Sequence, residues 1–294
     1  KNVFIPAIID IFEKLIRILS LLIIFKYISN NSLETNVTIS YLVFFIGELL
    51  SFVLLYIYYK LEKQSHKKTK EKIEDNIQLL YNVLSISIPL MFAELISSSL
   101  YTISSLLLPR RLVVAGIPYN DALSLIGRFA GMAMQIVFFP SIIIFSITTI
   151  LIPDIASSVA RGDIYTVKKR IKQVLLIAFL LGIIVLIMCL FLGESLGFII
   201  FKENNLGNYI KFLAFSAPII YLTIVSRSIL NGLGKQKFIF KYSAIVSFIQ
   251  VILLYFLVSI PKVNIYGYGI TLILTTFFSL IIYLSKIRDI ISSY

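Results

Sequence analysis

From Val174 to Leu192 the chain carries no charged and no amide side chain. A run of this length matches the hydrocarbon core of a bilayer, which is roughly 30 Å thick and is crossed by a helix of about 20 residues. In lipid every backbone N–H and C=O needs a partner within the protein, so such a run folds as a helix. Comparable stretches recur along the sequence. Eight spans are expected, at about Val3–Ile28, Val37–Tyr59, Leu79–Leu108, Phe129–Ile152, Val174–Leu192, Ile210–Leu230, Phe238–Ile260 and Gly267–Leu284. A membrane β-barrel would instead alternate polar and apolar residues in segments of about ten. The expected class is therefore an all-α membrane protein. Composition agrees: 59% of residues are hydrophobic and 14% charged, where soluble domains have about 25% charged residues.

The net charge of +12 could suggest a nucleic-acid partner. The placement of the basic residues argues for topology instead. Cytoplasmic loops of membrane proteins collect Lys and Arg. Sixteen basic residues fall in the segments after spans two, four, six and eight, and seven in the alternate segments. Both ends are expected to be cytoplasmic in a multi-pass protein of the cell membrane. The segment DIYTVKKRIKQ, Asp163–Gln173, reads as a basic stretch touching anionic lipid headgroups. Residues 60–78 form a basic, polar linker that divides two spans (1–59) from six (79–294).

Ionisable residues within spans are costly and mark packing or function. Asp10, Glu13, Lys14 and Arg17 follow i, i+3, i+4, i+7 spacing and share one helical stripe. That stripe faces protein or a water-filled cavity. It lines a transport path, or it is a self-neutralised packing stripe near an interface. Glu48 and Glu94 are lone carboxylates, suited either to proton or cation coupling or to a hydrogen bond with a neighbouring helix. Serines 97–99, 104 and 105 make the span of Glu94 unusually polar. Arg110, Arg111 and Arg128 lie on the expected outer side, against the general bias. Guanidinium groups match phosphate geometry, so these arginines would capture an anionic headgroup or touch ordinary lipid.

Other patterns carry less. NGLGKQ, Asn231–Gln236, lacks the spacing of a phosphate-binding loop and follows no strand; a tight turn between helices explains it. One His and one Cys, His66 and Cys189, support neither a catalytic pairing nor a metal site. No enzyme activity and no cofactor is expected. Pro89, Pro140, Pro153 and Pro218 lie in or at the ends of spans, as in carriers with kinked helices.

An ordered series of segments resembles a known family. Its pieces are Ile11–Ile18, Ser87-Ile88-Pro89, Pro109-Arg110-Arg111, ALSLIGRFAGMA (Ala122–Ala133), FFPSI (Phe138–Ile142), TILIPDI (Thr149–Ile155), ILNGLGKQ (Ile229–Gln236) and NIYGYGITLI (Asn264–Ile273). Together they resemble sporulation-type members of the polysaccharide-transport and lipid II flippase branch of the multidrug/oligosaccharidyl-lipid/polysaccharide exporter superfamily.

The resemblance implies two six-helix lobes, of which this chain would hold the last two helices of the first and the whole second. It implies alternating-access flipping of a lipid-linked oligosaccharide or peptidoglycan precursor. The partners would be that anionic substrate, membrane lipids and a coupling cation, H⁺ or Na⁺. The candidate substrate-binding residues are Glu13, Arg17, Glu94, Arg110, Arg111 and Arg128. The rival readings are a cation-coupled multidrug exporter of the same fold and a truncated, non-transporting partner of cell-wall synthesis.

Overall fold

The structure, a computed structural model, describes residues 4–28, 33–65 and 76–292. Among them the chain is helical with no strand, and it falls into two compact units, 1–76 and 77–294. The chain is an integral membrane protein of packed helices.

The first unit is a hairpin of α1 (Phe4–Ile28) and α2 (Leu33–Ser65). Residues 60–65 of the expected linker are thus helical, and 66–75 lie outside the described residues. The hairpin leaves Leu22, Tyr41, Phe45 and Phe52 exposed, as lipid-facing side chains are. It encloses Glu13, Val43 and Ser51.

The second unit holds α3 (Asn76–Val114), α4 (Tyr119–Ile126), a π-helical segment (Gly127–Ala133), α5 (Met134–Phe138), α6 (Ser141–Ala160), α7 (Ile164–Phe201), α8 (Gly207–Ala214), α9 (Ala217–Gly232), α10 (Gln236–Leu257) and α11 (Ile265–Ser292). The run from Tyr119 to Ala160 never reverses, because Phe139 and Pro140 both keep right-handed helical dihedrals. The helix is interrupted there, between Phe138 and Ser141, where Pro140 has no N–H to donate. The hydroxyl of Tyr221 on α9 donates to the carbonyl of Val137, 2.9 Å away and buried, just before that break.

At the centre is α7, which packs on α8 and α9; α9 also packs on α6 and α11, and α10 packs on α11. The buried residues of α7 are Val167, Ile171, Val174, Ala178, Gly182, Val185, Cys189, Gly193 and Gly197. They recur every three or four residues and form one stripe. Lipid tails are as apolar as leucine, so close packing rather than hydrophobicity holds membrane helices together, and small residues permit it. A Cβ on Gly182 would stand 2.4 Å from the Cα of Pro218 on α9, and one on Gly267 would stand 2.7 Å from the Leu257 carbonyl on α10.

Eight crossing helices are expected, and fewer qualify by length and composition among the described residues. Six helices among the described residues are long and apolar enough to cross a membrane, or up to seven if α8 and α9, bent by 47°, make one span. One expected span is divided, which adds a qualifying helix, and another is diluted by charge, which removes one. The expected span Phe129–Ile152 is part of two qualifying helices divided at Pro140. Asp10, Glu13, Lys14 and Arg17 lower the apolar character of α1. NGLGKQ is the expected tight turn: α9 ends at Gly232, α10 begins at Gln236, and Gly234 takes φ +71° between them.

Candidate functional site

Two polar constellations stand out, one in each unit. In the hairpin, Arg17 is the hub. Its Nη2 donates to Glu13 Oε1 one turn earlier on α1 and to Glu48 Oε1 on α2, the latter at 2.8 Å. The guanidinium also lies 4.8 Å from the centre of the Phe44 ring. Space for it exists because residue 47 is glycine: a Cβ there would stand 2.7 Å from Arg17 Nε. Glu13 is buried, while the Glu48 side chain is 72% exposed. Arg17 Nε is buried with no hydrogen-bond partner among the described residues. Two carboxylates thus hold one guanidinium in an apolar helix pair, and among the described residues one strong donor is left without an acceptor.

In the second unit the site lies where α3, α7 and α10 end and α4, α8 and α11 begin. Lys202 closes α7 in the left-handed conformation, φ 54°. The chain turns there, and Glu203 meets Arg128 of the π-helical segment, Oε1 to Nη2 at 3.1 Å. The neighbouring residue, Phe129, is fully buried at the centre of an aromatic cluster with Tyr209, Phe212, Tyr266 and Tyr268. A Cβ on Gly269 would strike Phe212 and Phe129, so glycine there lets the rings close. Beside this cluster is a cavity of about 300 Å³ lined by Glu194, Asn204, Asn205, Asn208, Tyr209 and Tyr266. Its walls supply carbonyl and carboxylate oxygens, amide N–H groups and phenol edges, which suit a polar or cationic guest.

π-helical turns are rare and concentrate at functional sites. Here the segment carries Gly127 and Gly131, and a Cβ on either would meet nothing within 4 Å. Packing does not require these glycines, and each lowers the stiffness of the helix.

No family model matches the chain. Stage V sporulation protein B of Bacillus subtilis (strain 168) is 22% identical over 229 residues, covering 77% of this chain and 44% of that protein. Sporulation protein YkvU of the same organism is 27% identical over 177 residues, covering 60% and 40%. The crystal structure of MATE in the bent conformation superposes with a TM-score of 0.70 over 98% of this chain and 62% of that one, at 13% identity. The chain is similar to stage V sporulation protein B and shares the fold of the MATE structure. It spans less than half the length of the two sporulation proteins it matches.

Against this frame the six expected site residues separate. Glu13 and Arg17 come together, and Arg128 flanks the aromatic cluster. Arg111 is tied into the packing: its Nε donates to Ser259 Oγ at 2.7 Å and to the Tyr255 carbonyl at 3.2 Å, with its guanidinium 3.8 Å above the Tyr255 ring. That geometry joins α3 to the end of α10. Arg110 is exposed beside it. Glu94 lies in α3, and its side chain is outside the described residues, as is that of Asp10. Among the serines near Glu94, Ser104 donates to the carbonyl of Leu100, one turn back. Sequence reasoning missed Glu194 and Glu203. The polar run Lys202–Asn205 after the long apolar stretch was the available signal.

Proposed function

We propose that this chain is part of a membrane exporter that flips a lipid-linked anionic saccharide by alternating access. The Arg17 cluster carries the reading: a guanidinium fixed between two carboxylates in an apolar helix pair, with Nε unpartnered among the described residues. An anionic headgroup oxygen could accept from that Nε and compete with Glu48, the exposed and more weakly held carboxylate. Burying an ion pair costs desolvation free energy that packing alone often does not repay. The sporulation relatives and the MATE fold support transport as the setting. The glycines of the π-helical segment and the helix break at Pro140 supply hinge points for a change between two access states.

The test is reconstitution of the full-length native protein into vesicles with a fluorescent lipid-linked pyrophosphoryl saccharide in both leaflets. Loss of fluorescence to an impermeant quencher measures translocation. Faster loss than in protein-free vesicles supports the reading, and equal rates refute it.

The cavity beside the aromatic cluster favours a second reading. Tyr209, Tyr266 and Glu194 suit an organic cation, as expected of a cation-coupled multidrug exporter. Efflux of an organic cation that depends on Glu194, without saccharide translocation, would favour it.

A further inference from the structure

The opposite end of the second unit carries a groove that neither constellation uses. It lies between the first turns of α7 and the last turns of α11 and has a volume of about 550 Å³. Its floor is apolar, formed mainly by Ile171 and Leu175 of α7 and Leu284 and Ile287 of α11. Its rim is basic, formed by Lys168, Lys172 and Arg288.

The sequence dictates this arrangement. Lys168, Ile171, Lys172 and Leu175 are spaced i, i+3, i+4, i+7, so they share one face of α7. Leu284, Ile287, Arg288 and Ile291 repeat that spacing on α11. Each helix therefore presents leucine towards the middle of the apolar segment and a cation nearer its end. The facing stripes grade from apolar to positive in the same direction.

The charges on the rim are available. Asp154, the carboxylate on the neighbouring α6, is occupied by Arg170, which lies 3.2 Å away. Lys286 stands over the Phe238 ring. Among the described residues, none of Lys168, Lys172 and Arg288 is in an ion pair, and Asp289, beside Arg288, does not line the groove. The groove is at the end that the distribution of Lys and Arg assigns to the cytoplasm, where bilayers present anionic lipid.

We infer that this groove is a binding site for one anionic phospholipid. Its phosphate sits among Lys168, Lys172 and Arg288, and an acyl chain lies along Leu175 and Leu284. A zwitterionic lipid fits the floor equally well but brings its own cation to the rim. The site therefore discriminates by headgroup charge. It is separate from the proposed transport site and does not depend on that reading.

The test uses the full native protein in nanodiscs of equal parts phosphatidylglycerol and phosphatidylcholine, released and weighed by native mass spectrometry. The expected result is retained phosphatidylglycerol in excess of phosphatidylcholine. That excess should fall by roughly tenfold or more in the Lys168→Ala/Lys172→Ala/Arg288→Ala variant. It should return with Lys168→Arg/Lys172→Arg/Arg288→Lys, which keeps the charge and controls for folding. It should persist in Lys202→Ala/Lys262→Ala at the other end. Equal retention of both lipids by the unaltered protein would overturn the inference. So would retention unchanged by the triple alanine variant, or a dimer that the triple variant dissolves, which would make the occupant a second copy.

Discussion

Arg17 Nη2 and Glu48 Oε1, 2.8 Å apart, join α1 to α2 within the apolar hairpin. The two ends of the Arg17 cluster are unequal. Glu13 is buried and Glu48 is largely exposed. Removing one partner of a buried pair costs roughly 3–5 kcal/mol, whereas an exposed pair contributes about 0–1 kcal/mol. Glu13→Ala should therefore destabilise the hairpin far more than Glu48→Ala. Thermal unfolding in detergent, followed by circular dichroism, would check this. Equal losses would mean that Glu48 is as buried in the membrane as Glu13.

Gly47→Ala should act on the same cluster from the other side. The new Cβ would fall within 2.7 Å of Arg17 Nε, and a flexible side chain yields more readily than backbone. The variant should fold, with its guanidinium displaced from Glu48, and should then resemble Glu48→Ala in any translocation assay.

Glycines of the second unit should divide into two behaviours. At Gly182 a Cβ meets the Pro218 backbone at 2.4 Å, and overpacking of this kind costs about 1–3 kcal/mol. Gly182→Ala should separate α7 from α9 and lower the melting temperature. At Gly127 and Gly131 a Cβ meets open space, so alanine should stabilise the helix by about 0.5–1 kcal/mol each. If the segment bends during transport, the double alanine variant should melt higher and translocate more slowly. A higher melting temperature with unchanged translocation would remove the hinge role.

The Arg128–Glu203 pair is partly exposed on both sides, so Arg128→Ala should change stability by no more than about 1 kcal/mol. It should nevertheless abolish translocation in the full-length protein if Arg128 receives the substrate. Unchanged translocation would leave Arg128 as a surface tie between the π-helical segment and the turn after α7.

Much of this was legible in the sequence, and the limits have physical causes. Helical class, the charged stripe on α1 and the turn at Asn231–Gln236 follow from local spacing, which one chain displays. The i, i+4 pair of Glu13 and Arg17 was visible for that reason. Glu48 was not visible as its partner, because that contact depends on how α1 packs against α2. Arg128 was singled out, but Glu203 reaches it only through the left-handed Lys202. The expected start of the fourth span at Phe129 came too late because Asn120 and Asp121 dilute the hydropathy of a helix that begins at Tyr119. Arg111 looked like a headgroup ligand because nothing local announces Tyr255 and Ser259, which α10 and the turn after it bring beneath it.

Asp163 provides a pH-dependent test outside the spans. Its side chain caps α7 by accepting the Thr166 N–H at 3.0 Å. Hydrogen bonds from the Thr166 side chain and backbone hold its carboxyl below the ordinary value of 3.8. A depressed folded value means the cap's contribution is full above the unfolded value and fades as pH falls through the folded one. Exchange protection of the first turn of α7, corrected for intrinsic rate, should therefore fall in acid. In Asp163→Asn, which keeps an acceptor but cannot titrate, the acid-dependent fall should vanish.

The most direct measurement is saccharide translocation by full-length protein carrying Arg17→Lys, beside its melting temperature. Lysine keeps the charge between Glu13 and Glu48 but lacks the planar fork and the Nε donor. The expected result is a fold close to the unaltered protein's with translocation reduced at least tenfold. Translocation at the unaltered rate would contradict the claim and leave Arg17 as the bolt of a helix hairpin.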